Sequence, residues 1–242
     1  MTGVQLHIVG PGRAGRSLAL ALVAVGWPEP VFFGRSDDLG AAGTAADAVV
    51  IATPDDAIAA VAAALPSTDA VVIHLSGSRG LAELGGHRRS AALHPLVSLP
   101  DPETGARRLR GAWFATAGDP IVERMVAALG GRAFFVADED RAGYHAAAVI
   151  ASNHLVALLG QVERVAAIAG VPFDALLDLA EGSLANVRAL GPAAALTGPA
   201  ARGDEETIRR HIAALGDDEA ASYAALAAEA RRLAGRPRPN EE

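Results

Sequence analysis

The chain has 242 residues and a 51% hydrophobic content, enough for one large or two small domains with packed cores. Its net charge of −7 and pI near 5.5 argue against a general nucleic-acid binder, which shows a basic face. It contains neither cysteine nor lysine, all 21 positive side chains being arginine. Disulfides, thiolate metal sites and Schiff-base lysines are thereby excluded, and any acid or base catalyst must be His, Asp, Glu or Tyr.

No apolar run approaches the roughly 20 uninterrupted residues of a membrane span. The N-terminus passes straight into a strand pattern without a basic leader, so the expectation is a cytoplasmic protein with no membrane and no nucleic-acid partner.

The first strand, VQLHIV from Val4, runs into GPGRAGRSLALAL. Gly10-x-Gly12-x-x-Gly15 thus sits between a strand and an apolar helix. The first glycine permits a tight turn, the second lets a pyrophosphate approach the backbone, and the third lets the helix pack on the strand. Gly10, Pro11, Gly12, Arg13, Ala14 and Gly15 are therefore the expected phosphate loop. The next strand, VFF, leads into Gly34-Arg35-Ser36, where an acid would hold the ribose hydroxyls of NAD. Arg35 and Ser36 fit the extra phosphate of NADP better, although Asp37 or Asp38 could supply an acid slightly late.

AVVIAT leads to the TPDDAI turn, so Thr53, Pro54 and Asp55 are expected beneath the cofactor, with helix capping the alternative for Asp55. AVVIHLS and SAALHP bring His74, Ser76 and His94 to strand ends. Ligands of open α/β sheets bind outside that edge, so Ser76 is a catalytic candidate and His94 a substrate-binding one. AWFATA and RAFFVA complete the strand runs, and the alternation of strands with helical patterns predicts a mostly parallel sheet.

After Asp138 the pattern turns helical to the end, punctuated by Gly170, Gly191-Pro192, TGPAARGD and Gly216. The expected domains are residues 1–137, α/β and cofactor-binding, and 138–235, all-helical, followed by a flexible tail at 236–242. A helix of about 30 residues should start at an Asp138 cap and stop at Gly170. On a regular helix His145 and Ser152 share a meridian, Asn153 lies on their shoulder, and His154 faces the opposite way. His145 and Asn153 are accordingly catalytic candidates and Ser152 a substrate contact. Asp204 should cap the next helix, while Arg202 is a candidate for a substrate carboxylate. No histidine spacing matches a metal-ligand pair, so no metal is expected.

The glycine loop, GRS, TPDDAI, HLSG, HP, YHAAAVIASNH and ALTGPAARGD together resemble a bacterial family. Its members pair a Rossmann-like domain with a helical domain of unknown function, and are related to pyrroline-5-carboxylate reductase, ketopantoate reductase and the β-hydroxyacid dehydrogenases. The likeness runs from about residue 4 to 230. It implies a doubly wound α/β domain and a helical domain like the C-terminal one of 6-phosphogluconate dehydrogenase. It also implies an active site between the domains and a homodimer formed through the helices. It implies an NAD(P)-dependent reductase and brings no known substrate; with Arg35 and Ser36 favouring NADP, the expected activity is NADP-dependent reduction of a small carbonyl or imine compound, including carboxylates such as 2-keto acids. Where the β-hydroxyacid dehydrogenases and ketopantoate reductases carry a catalytic lysine one turn before an asparagine, this chain has Val149 before Asn153, which moves attention to the histidines. The alternative is a nucleotide-binding regulatory or sensor protein without turnover.

Overall fold

The structure is a computed structural model that describes residues 4–235, so the tail expected at 236–242 lies outside the described residues. Each run read as a strand becomes one: β1 Leu6–Val9, β2 Val31–Phe33, β3 Ala48–Ile51, β4 Val71–His74, β5 Ser90–Pro95, β6 Trp113–Gly118 and β7 Arg132–Phe135. They form one sheet in the order β2-β1-β3-β4-β5-β6-β7. Neighbours are parallel except β5 and β6, where His94 lies antiparallel to Ala115.

Helices cover both faces, which is why the central strands are apolar throughout rather than alternating. Leu6, Ile8, Val50 and Ile73 pack with Leu18 and Leu22 of α1 (Arg13–Val23), Leu109 of α3 (Pro102–Leu109) and Met125 of α4 (Ile121–Ala128). Val9, Val49, Ile51 and Val72 pack with Ile58 and Ala62 of α2 (Ile58–Ala64). Each such fully buried aliphatic side chain contributes about 1.5–3 kcal/mol. His74 ends the wholly buried strand β4 and is itself fully buried.

One helical run, Asp138–Ala169, follows β7. Asp138 does not cap it. The N-cap is Ala137, without a side-chain bond, and the Asp138 carboxylate instead accepts from Leu81 N at 2.9 Å and Arg141 Nε at 3.0 Å. The run is also not regular. A first segment, α5 Arg141–Val149, gives way to a π turn at Ile150–His154 before α6 Leu155–Ala169 ends at left-handed Gly170. Ser152 Oγ donates to Ala148 O at 2.7 Å within this irregular stretch, a back-bond of the kind that bends helices. A π turn advances each residue by less than the α-helical angle, so the single meridian expected for His145 and Ser152 does not survive it. By length and composition this run could cross a membrane, a weak sign that a helix exposing apolar side chains gives equally.

Backbone contacts divide the chain into two compact units, Met1–Ser152 and Asn153–Glu242. The sequence places the change at residues 137 and 138, where the strands end, while α5 belongs with the sheet because Arg141, Tyr144 and His145 pack against strand ends and their loops. Beyond α6 the second unit contains α7 Phe173–Leu190, α8 Pro192–Ala195, α9 Pro199–Arg202, α10 Glu205–Ala214 and α11 Asp217–Leu233. Asp204 caps α10 as expected, accepting from Thr207 N at 3.0 Å.

Candidate functional site

The parallel strands β1 to β5 all end on one edge, and the reversal of strand order between β1 and β3 opens a crevice there. Gly10 follows β1 with φ +103°, and a Cβ on it would lie 2.7 Å from Ala52 O, so only glycine fits this turn. Gly15 is closed in by the Gly10 carbonyl, but a Cβ on Gly12 would meet nothing within 4 Å. The start of α1 is thus open at Gly12, carries no acidic residue in its first turn, and has no side-chain cap over its free N–H groups. Arg16 braces the loop, donating from Nε to Pro11 O at 2.8 Å while lying over the Phe32 ring.

At the end of β2 both acids are used locally. Asp37 accepts from Gly34 N at 2.6 Å and Asp38 from Gly40 N at 2.8 Å, leaving Arg35 and Ser36 exposed. After β3, Thr53 Oγ1 is buried with no hydrogen-bond partner among the described residues. Asp55 accepts from the hydroxyls of Ser76 and Ser78, each at 2.7 Å. Burial pushes the Asp55 carboxyl up, but the two serines, His145 and Arg79 together outweigh it and leave the group below the usual range.

The loop after β4 joins this carboxylate to a cluster of rings. A Cβ on Gly77 would lie 2.7 Å from His94 Cε1 and 2.8 Å from His145 Cδ2, so both imidazoles close on the bare Gly77 backbone. His94, on β5, shares a 2.6 Å hydrogen bond between its Nδ1 and the Tyr144 hydroxyl of α5. The His94 and His145 rings meet edge to face with centroids 5.9 Å apart. Burial first, then the neighbouring His145 and Arg141 charges, hold His94 down to about 4. His74 is likewise held to about 4 by burial and Arg141, against the opposing pull of the Gly80 backbone, Asp55 and Asp138. Burial pushes the Tyr144 phenol up to about 12 despite Arg141.

Ser76, His94 and His145 are thus brought together with Asp55, whereas Ser152, Asn153 and His154 are exposed in and beside the π turn. Arg202 belongs to the second unit, exposed at the end of α9. The sequence reading missed Tyr144, Ser78, Gly77 and Arg141 as members of the cluster. A separate hollow of about 640 Å³, lined by Leu65, Leu84 and His87 among others, adjoins the segments leading into β4 and β5 and so lies toward the other edge of the sheet.

The first unit is a Rossmann-like doubly wound α/β fold, and a helical portion follows it. Residues 115–230 match a protein family described as a domain of unknown function, DUF2520. Among solved structures, protein TM1727 from Thermotoga maritima is 25% identical with a TM-score of 0.74, over 95% of this chain and 98% of that one. A Bacteroides fragilis protein provisionally named an NADP oxidoreductase is 20% identical with a TM-score of 0.78, over 95% and 98%. Pyrroline carboxylate reductase from Plasmodium falciparum, solved with NADP bound, is 12% identical with a TM-score of 0.66, over 97% and 99%. No curated protein matches the chain.

Proposed function

We propose that this chain is an NADP-dependent reductase of a small carbonyl or imine compound, with carboxylates such as 2-keto acids in its range. The observation that carries the reading is the convergence, on one edge of one sheet, of an open glycine loop with a carboxylate, two serines, two imidazoles and a phenol. That fold-mates from Bacteroides fragilis and Plasmodium falciparum are linked by name to NADP supports the choice of cofactor.

The residues present fit a dinucleotide. Open Gly12 and the uncapped start of α1 suit a pyrophosphate, with Gly10, Pro11, Arg13, Ala14 and Gly15 shaping the loop. Arg35 and Ser36 suit the 2′-phosphate, because the acids that could take ribose hydroxyls are already engaged. The orphaned Thr53 hydroxyl, with Pro54 and Asp55, lies on the turn beside the loop. When bound, the cofactor supplies a hydride. The chain supplies the rest. His145 donates the proton to the developing negative charge, Tyr144 and His94 hold that side of the site, and Ser76 with Ser78 keeps Asp55 ionised beside His145. Asn153 and Ser76 remain proposed catalytic residues and His94, Ser152 and Arg202 proposed substrate contacts, and the helices are proposed to form a homodimer.

NADPH consumption with a panel of small ketones, 2-keto acids and cyclic imines tests this directly. Steady turnover is expected with at least one class. Binding should favour NADPH over NADH, and Arg35→Ala should weaken NADPH about tenfold or more while leaving NADH nearly unchanged. Equal losses for both cofactors, or no consumption with any of the panel, would defeat the corresponding half of the reading.

A further inference from the structure

The hydroxyls of Ser76 and Ser78 both donate to the same oxygen of Asp55, Oδ2, each at 2.7 Å. Among the described residues nothing donates to the other oxygen, Oδ1, and Asp55 is only half-buried. Ser76 is itself fixed, its oxygen accepting from Ser78 N at 3.2 Å and Arg79 N at 3.1 Å. The loop after β4 thus holds the carboxylate ionised through one oxygen and leaves the other free to accept.

That free oxygen belongs to the ring cluster. Ser76 is followed by Gly77, on whose bare backbone His94 and His145 close, 2.7 Å and 2.8 Å from where a Cβ would stand. Asp55 is therefore one hydrogen bond and one residue away from both imidazoles. The surrounding cations are engaged elsewhere. Arg79, whose charge reaches Asp55, is bonded to Glu83 at 3.4 Å, and Arg141, 0% exposed, is bonded to Asp138 at 3.0 Å. His74 and His94 are held to about 4 and the Tyr144 phenol is pushed up to about 12, so all three are neutral at pH 7. His145 apart, the one charge of the cluster with an atom to offer a ligand is negative.

We propose that Asp55 is a substrate-binding residue whose Oδ1 receives a positively charged C=N group, so that the compounds reduced best are protonated imines rather than ketones or 2-keto acids. The inference rests on the reductase reading and narrows its substrate class. Hydride from a nicotinamide adds to the iminium carbon, and the C=N π pair becomes the nitrogen lone pair. The products are a neutral amine and the oxidised, positively charged nicotinamide. The balance is the same whether the nitrogen is protonated in solution or by His145. Positive charge therefore stays in the cleft before and after the transfer, where a carboxylate stabilises it. A ketone behaves oppositely, because hydride addition puts negative charge on its oxygen. A 2-keto acid arrives with a negative charge already, so both are repelled by Asp55.

Piperidinium, cyclohexanol and cyclohexanecarboxylate, similar in size and different in charge, test this without turnover, since NADPH reduces none of them. Calorimetry on the full chain with NADPH present should show piperidinium binding about tenfold or more tighter than the other two. Asp55→Asn, which still offers the serines an acceptor, should remove that preference. Asp56→Asn, at an exposed neighbour, changes the net charge equally and should keep it. In turnover, a six-membered cyclic imine should show kcat/KM about tenfold or more above cyclohexanone and 2-oxohexanoate. No preference for piperidinium in the parent would overturn the proposal, and that measurement stands even if Asp55→Asn does not fold. A preference that survives in Asp55→Asn, or is lost equally in Asp56→Asn, would overturn it too. Ketone or 2-keto acid reduced as fast as the imine would overturn it and leave the reductase reading standing. A piperidinium preference abolished only by Asp55→Asn, with no NADPH consumed by any class, would overturn the reductase reading alone.

Discussion

His145 and Tyr144 are adjacent in sequence, yet the structure gives them different partners: Tyr144 bonds His94, and His145 lies against Gly77 and influences Asp55. If His145 delivers the proton, His145→Gln should lower kcat by about 10² to 10⁴ with little change in NADPH binding. Tyr144→Phe should cost only about tenfold, since it removes a hydrogen bond and leaves the donor in place. Exposed His154 serves as the control, and His154→Gln should match the parent. Near-parental turnover in His145→Gln would return this imidazole to a packing role. Ser76, His94 and His145 were legible because polar residues at the ends of apolar strands, or isolated in an apolar helix, stand out. Tyr144 was not, since its partner lies 50 residues away. Arg141 was hidden by a sound generalisation, that arginines lie at the surface.

At the level of elements, the seven strands and the helical second half were readable from short apolar runs, β-branched or aromatic in most strands, and from glycine punctuation. The π turn was not, because nothing in IASNH distinguishes five residues of π geometry from a continuing α-helix. The same limit applied to Asp138, a good cap by type whose carboxylate is recruited by a loop 57 residues away. In the second unit the helices expose large apolar side chains: Val156 is 70% and Ile168 75% exposed on α6, and Leu179 65% exposed on α7. An apolar groove of about 740 Å³, lined by Leu158, Val162, Leu176 and Leu226 among others, adjoins them. Such surface is what a homodimer through these helices would cover. Light scattering should give a dimer at micromolar concentration, and Leu179→Glu should weaken association tenfold or more. A monomeric parent at that concentration would contradict the assignment.

For the whole molecule, stability should depend on pH through its buried imidazoles. His7, which accepts from Gly43 N at 3.0 Å, is lowered by burial, and His74 and His94 are lowered to about 4. In the unfolded chain these groups bind protons near 6.5. Between about pH 6.5 and 4 the unfolded state therefore holds more protons, and stability rises with pH across that window. It should be fully present above 6.5 and fall as the pH drops toward 4, with a slope approaching two protons near pH 5. Urea midpoints at pH 7, 5.5 and 4.5 measure it. A midpoint unchanged over that range would mean the imidazoles are not held neutral.

The strand order also bears on how the chain acquires its shape as it is made. The first strand synthesised, β1, ends up between β2 and β3, so both of its neighbours exist once residue 51 has emerged. From there every strand takes its place beside the one made just before it, so β2 stays one margin of the sheet and the newest strand is always the other. Pairing therefore never waits for a distant partner, which limits the time that unpaired strand edges are exposed to other chains. Growth ends at β7, whose Phe135 remains 73% exposed, and the ribosome meanwhile delivers the helical half, whose contacts within each helix are local and quick to form.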